Sequence, residues 1–168
     1  MITKISWEEI CQIWSTELWP TRQSPIEPNS AMVYLGGYID DNKQTTPTFF
    51  GYKINKNIIA VNSGHMCADN MYRSRGLWVH PNYRNQSFGQ ILLTATINQA
   101  IIENATMVWS YPRKTSVKTY EAVGFIITSP WEKSETSDHN AYCSLLITNH
   151  HKSIIPARIK SHLDVMNP

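Results

Sequence analysis

An α/β domain of the α+β type, with a mixed, mostly antiparallel central sheet flanked by helices, is the fold class that the sequence predicts. Three observations carry it. Segments 31–39, 48–54 and 58–66 are strand-like and are joined by short polar turns, as in an antiparallel meander. From Met71 onward, strand-like and helix-like segments interleave and end on two strands, an order that fits a mixed sheet better than a doubly wound parallel one. The 168 residues, 42% hydrophobic and 17% charged, suit one domain able to bury a core without disulfides or metals.

In chain order, Ser6 and Glu9 have the spacing of a capping box, and Trp7, Ile10, Cys11, Trp14 and Leu18 then share one helical face until Pro20. Residues 21–30, with Pro25 and Pro28, read as a loop or short broken helices covering a site. After the meander and a turn at 68–70, a strand is expected over 71–79, ended by Pro81, which lacks a ladder donor. The next helix begins near Ser87, and Phe88, Ile91, Leu92, Ala95 and Ile102 form its apolar stripe up to Asn104. Residues 106–109 read as a strand, 116–123 as a short helix stopped by Gly124, and 125–128 and 141–148 as the last strands, with a hairpin over 129–140. Pro156 is expected to open a C-terminal helix with Ile159, Leu163 and Met166 on one side, in a tail over 150–168 that packs on the domain or on a second subunit.

Fifteen Lys and Arg against thirteen Asp and Glu leave a net charge of +2 with no long basic run, which argues against nucleic-acid binding. Cys11, Cys67 and Cys143 are odd in number and far apart, with no redox or zinc spacing, as expected in a reducing compartment. The N-terminal stretch carries charges where a signal peptide needs an apolar run, so no signal peptide is expected there, and no apolar run reaches the length of a membrane span. A cytoplasmic monomer or homodimer is expected. His150, His151 and His162 lack metal-ligand spacing, so no metal is assigned. Trp7, Trp14 and Trp19 are expected in the core or an interface.

The chemistry concentrates between Gly76 and Phe125. A strand stopped by Pro81 and followed by Arg84, Asn85, Gln86, Ser87, Phe88, Gly89 and Gln90 presents free backbone N–H groups at a helix N-terminus, where an anion is favoured. Gly89 lets the backbone approach a ligand, Ser87 adds a hydroxyl and Arg84 a full charge suited to phosphate.

Arg84, Ser87 and Gly89 fall on an Arg/Gln-x-x-Gly-x-Gly/Ala pattern with Ser in place of the middle Gly; Ser116, Tyr120, Gly124 and Phe125 fit a second pattern, with Arg113 in place of its Asn. The pair resembles the hallmarks of the GCN5-related N-acetyltransferase (GNAT) family. The resemblance implies a sheet splayed at the fourth and fifth strands, with acetyl-coenzyme A as co-substrate in the gap. Trp78, Val79 and the strand end at Ser110 and Tyr111 then line the pantetheine arm, and Ser116 and Tyr120 join the cofactor contacts. It further implies acetyl transfer to a primary amine of a small molecule or protein terminus, the alternative being a silent acyl-CoA-binding regulatory module.

On the same resemblance the backbone N–H of Val79, or a near neighbour, polarises the thioester carbonyl, and Tyr120 protonates the departing sulfur. The strand position at which several relatives carry Glu holds Arg73, so the general base is unassigned. His65, Asp69 and His80 are candidates from neighbouring strand ends, with a water chain to a distant acid as the equal alternative. Arg73 and Arg75 alternate on one strand face, which reads first as an exposed charged face and second as a receiver for an acidic acceptor. The segments 21–30 and 129–140 are expected to shape the acceptor pocket.

Overall fold

The computed structural model describes residues 1–152 of the chain. The expected C-terminal helix over 156–166 and His162 lie outside the described residues. A seven-stranded sheet runs in the order β1-β2-β3-β4-β5-β9-β6, from β1 (Ile2–Lys4), β2 (Thr48–Ile54), β3 (Asn57–Met66), β4 (Met71–Val79), β5 (Met107–Ser110), β6 (Ile126–Ile127) and β9 (Cys143–Leu146). All its pairs are antiparallel except β4 with β5. A separate hairpin joins β7 (Glu132–Ser134) to β8 (Ser137–Asn140).

Helices cover both faces. On one, α2 (Phe88–Ile102) and α3 (Val117–Glu121) pack Leu93, Ile97, Tyr120 and Phe125 against Tyr72, Val108 and Leu145. On the other, α1 (Trp7–Ile13) packs Ile10 and Trp14 against Phe49, Val61 and Trp78. Phe49 and Phe50, adjacent in β2, belong to opposite clusters, as the two-residue strand period requires.

The capping box is formed: Glu9 N–H donates to Ser6 Oγ at 3.2 Å and Ser6 N–H to Glu9 Oε2 at 2.8 Å. Beyond Ile13 the helix widens into a π-turn over Trp14–Leu18, closed by Trp19 N–H to the Trp14 carbonyl at 2.7 Å. That turn sets the Trp14 and Trp19 rings 5.1 Å apart.

The strand expected over 31–39 is not formed. Leu35, Gly36 and Gly37 all take positive φ (65°, 120° and 93°), so the segment folds back on itself and keeps one bridge between Met32 and Tyr38. The edge of the sheet belongs instead to β1, whose three residues are too few to show a period. The other expected elements are present with ends shifted by a few residues, and Gly124, at φ 101°, terminates α3.

Candidate active site

β4 and β5 pair only through Met71 with Met107, Tyr72 with Val108 and Arg73 with Trp109. β4 then continues to Val79 without β5, leaving a fork. A bulge shapes that half of β4: Val61 faces Trp78 and Ser63 faces Arg75, so Asn62 stands opposite two residues, Gly76 and Leu77. Gly76 has φ 74°, and a Cβ on it would lie 2.3 Å from the Trp14 ring, whose Nε1 donates to the Gly76 carbonyl at 2.9 Å. Past the bulge, His80 N–H bonds the Ile59 carbonyl at 2.8 Å. Alternation along an antiparallel ladder therefore turns the Val79 amide away from β3, into the gap. The Trp78 side chain packs in the α1-side core, which leaves its backbone to line the cleft.

A cleft of about 530 Å³ runs from this gap to the N-terminus of α2, lined by Val79, Arg84, Asn85, Ser87, Phe88, Gly89 and Gln90 and by Ser116, Lys118 and Thr119 of the facing segment. Asn85 and Ser87 take left-handed φ, 60° and 65°, so Ser87 holds the conformation that the motif assigns to Gly. Ser87 makes no side-chain capping bond, and the first turn of α2 carries no acidic residue, which suits an anion. Arg84 Nε donates to the Val79 carbonyl at 3.0 Å, tying the loop to the end of β4. Phe88 packs its ring on Tyr52 at 4.7 Å, leaving its backbone for the cleft. At Gly89 a Cβ would meet Thr119 Cγ2 at 2.8 Å, so this glycine sets the close approach of α2 and α3. Gln86 does not line the cleft; its Nε2 donates to the Asn82 carbonyl at 3.3 Å.

Tyr120 projects from α3 to the fork, 3% exposed, with its ring edge-on to Phe125. Ser110 Oγ donates to the Ser74 carbonyl at 2.8 Å and stands 3.3 Å from Tyr120 Oη, one residue past the last β4–β5 pair. Burial holds the phenol well above its ordinary range, so Tyr120 retains its proton.

A larger cavity of about 1090 Å³ adjoins the cleft, with Leu18, Leu77, Arg113 and Ser116 in both walls. Residues of 21–30 and 129–140 line it and are strapped together by Glu135, which accepts from the amides of Gln23 and Ser24 at 3.0 and 2.8 Å and from Ser24 Oγ at 2.6 Å. Arg113, at the position of the motif Asn, donates to the Leu18 carbonyl at 2.8 Å and so ties the start of α3 to the end of the first helix. Trp19 also lines this cavity rather than being only a core group.

The expectation that Arg73 and Arg75 form an exposed face is overturned: they are 8% and 5% exposed and reach this cavity. β4 is a central strand covered on both faces, so neither of its faces meets bulk water. Arg75 lies over the Trp14 and Trp19 rings at 4.8 and 5.2 Å and donates to the Glu27 carbonyl at 2.6 Å. Arg73 lies over Trp109 at 4.9 Å. Burial lowers the Arg73 guanidinium to about 10, which leaves it charged at neutral pH.

None of the three base candidates lines either cavity. His65 is fully buried; its Nε2 accepts from Ser30 N–H at 3.4 Å and its Nδ1 lies 3.1 Å from the Met66 carbonyl. Burial, with Arg73 and Arg75 nearby, pulls it down to about 3, so it is neutral. Asp69 is exposed in the turn before β4, at the opposite end of that strand from Val79. His80 Nδ1 accepts from Asn82 N–H at 3.2 Å in the turn after β4. Among the described residues, no group of three metal-ligating side chains occurs, and no helix is long and apolar enough to cross a membrane.

The arginines were hidden because their burial depends on which strands flank β4 and on the π-turn of the first helix. The available signal was local: an i, i+2 arginine pair inside a strand of otherwise apolar and small residues followed by helices on both sides. Lys118 and Thr119 enter the cleft through the contact of α3 with α2, which no local pattern marks.

The sheet with its β4–β5 fork and the glycine-bearing loop at the head of α2 define an acyltransferase fold. The sequence matches the Acetyltransferase (GNAT) family over residues 7–125, and the chain belongs to that family. Solved structures share the fold at low identity. IAA acetyltransferase from Bacillus cereus superposes with a TM-score of 0.66 at 13% identity over 88% of this chain and 99% of that one. The ribosomal-protein-S18-alanine N-acetyltransferase from Escherichia coli gives 0.57 at 14% over 88% and 94%. The PaiA N-acetyltransferase from Thermoplasma acidophilum, in complex with coenzyme A, gives 0.52 at 14% over 64% and 65%. No curated protein matches the sequence.

Proposed function

We propose that this protein transfers an acetyl group from acetyl-coenzyme A directly to a primary amine, on a small molecule or a protein terminus, with both substrates bound at once. The observation that carries the reading is the meeting of two cavities at the β4–β5 fork, one headed by the α2 loop and one floored by β4, with the Tyr120 hydroxyl between the strands. The residues fit the cofactor. Backbone N–H groups of the α2 loop, with Arg84 and Lys118, suit a pyrophosphate, and the Val79 amide is free of β3 to take a carbonyl oxygen.

Acetyl-CoA supplies the acyl group as a thioester; the nitrogen–carbon bond forms, the carbon–sulfur bond breaks, and one proton passes in net from nitrogen to sulfur. In this reading Val79 N–H donates to the carbonyl oxygen. Tyr120, kept protonated by burial, holds the proton for sulfur, and the same burial raises the basicity of a thiolate beside it. The field of Arg73 and Arg75 disfavours an ammonium in the larger cavity, so an acceptor entering it is shifted toward its reactive neutral form.

Saturating acetyl-CoA should raise the melting temperature, and thiol should be released in the presence of an amine panel. No thermal shift would remove the cofactor assignment. Binding without thiol release from any amine would make the protein an acyl-CoA-binding module.

A further inference from the structure

We propose that the acceptor is a compact amine bearing a carboxylate, and that Arg73 on the floor of the larger cavity receives that carboxylate. The inference rests on the amine-acceptor reading above and narrows its substrate class.

Arg73 is 8% exposed and lines the cavity, and neither its Nε nor its Nη1 has a hydrogen-bond partner. The ionisable groups acting on it most strongly are Cys67, Tyr142, Tyr120 and Arg22, none of them a carboxylate. A buried guanidinium left unpaired is costly, and a fold retains one where a ligand completes it. Its neighbour shows the contrast. Arg75 lies against two adjacent tryptophan rings and anchors the loop through the Glu27 and Pro28 carbonyls, so its work is structural. Of the other cationic groups that line the cavity, Arg22 is engaged by Ser24 and the Pro25 carbonyl, Arg113 by the Leu18 carbonyl, and Lys133 is exposed.

Carboxylates of the chain do not compete for the floor. Glu132 accepts from the Tyr111 hydroxyl at 2.8 Å, Glu135 straps residues 23 and 24, and Glu27, which also lines the cavity, acts on Arg75 rather than on Arg73; all three are exposed. The cavity is therefore polarised, cationic at its buried base and acidic only at its surface.

A guanidinium stacked on an indole presents a planar edge of N–H groups, which matches the two oxygens of a carboxylate. The position sets the acceptor's size. Arg73 belongs to the last β4–β5 pair, and the Ser110–Tyr120 contact begins one residue beyond, so anchor and reacting centre are close. One carboxylate neutralises one of two buried guanidinia, and the remaining charge still favours a neutral amine.

The test is thiol release from acetyl-CoA with matched amines that differ only in a carboxylate, carboxamide or phosphonate, using the wild type, Arg73→Met and Arg73→Lys. We expect the wild type to favour the carboxylate over the carboxamide by about 100-fold in kcat/KM, mainly through KM, with the preference almost gone in Arg73→Met and partly kept in Arg73→Lys. Equal use of carboxylate and carboxamide, a preference for phosphonate, or an unchanged preference in Arg73→Met would overturn the proposal. If Arg73→Met does not fold by circular dichroism, the wild-type comparison and Arg73→Lys decide. If no amine releases thiol, the transferase reading fails on its own. The carboxylate site is then judged by calorimetry with N-acetylphenylalanine against its carboxamide: selective binding of the acid supports it, and equal or absent binding sinks it.

Discussion

The two cavities at the β4–β5 fork are built from different materials. The smaller cleft is mainly a backbone site: left-handed residues 85 and 87, the free amides of α2 and the Val79 amide, with Gly89 permitting the approach of α3. The larger cavity is mainly a side-chain site, assembled from the end of the first helix, the 21–30 loop, the β7–β8 hairpin and the arginines of β4. Backbone sites tolerate side-chain exchange so long as the dihedrals survive, which is why Ser87 can stand where the motif has Gly. Side-chain sites change with single residues, and they carry the electrostatics: on the cavity floor two buried cations sit on aromatic rings with His65 behind them.

The contrast is broken most forcefully with acid. The native pKa of His65 is depressed from 6.5 to about 3, so the unfolded chain binds the extra proton first. The associated stability is fully present above about 6.5 and is lost as the pH falls toward 3. Chemical denaturation should show a loss on the order of 3 kcal/mol between pH 7 and pH 4 from this group, and His65→Gln should flatten the profile by that amount. An equally steep profile in His65→Gln would mean that the acid sensitivity lies elsewhere.

At the fork, in the wall of the larger cavity, Tyr120→Phe should lower kcat by about 100-fold while leaving acetyl-CoA affinity within about twofold, since only the proposed proton donor is removed. A matching loss of affinity, read by calorimetry, would assign Tyr120 to packing instead. On the backbone side, Arg84→Ala should weaken acetyl-CoA by about tenfold at low salt. Titration at rising ionic strength should bring the variant and wild type together as the charge is screened. The smallest effect tests the backbone reading itself. Ser87→Gly should stabilise the fold by about 0.5 kcal/mol because φ 65° is strained for Ser, whereas Ser87→Ala should not. A destabilised Ser87→Gly would show that the Ser side chain, rather than the dihedral, holds the loop.

The legible parts follow the same division. The capping box, the stop at Pro81, the α2 loop and Gly124 are local signals, and each formed because its physics is complete within about six residues. The 31–39 segment departs from the expected strand because its apolar pattern resembles one while Gly36 and Gly37 allow the reversal that tertiary packing uses, with Tyr34 set against Trp109 and Tyr142. The base candidates sit at strand ends whose direction the sequence does not encode locally. His65 turned inward, Asp69 lay at the far end of β4, and His80 closed a turn.

What the sequence by itself determined is the family and the local shape of the loop at the head of α2, because glycine, proline and capping residues act through neighbouring dihedrals and hydrogen bonds. What only the tertiary structure decided is the character of the larger cavity. The satisfaction of Arg75 depends on a π-turn, two tryptophans and a loop brought from more than forty residues away, and Arg73 is covered by Trp109 of the neighbouring strand; no local rule can report the dielectric in which a charge ends up.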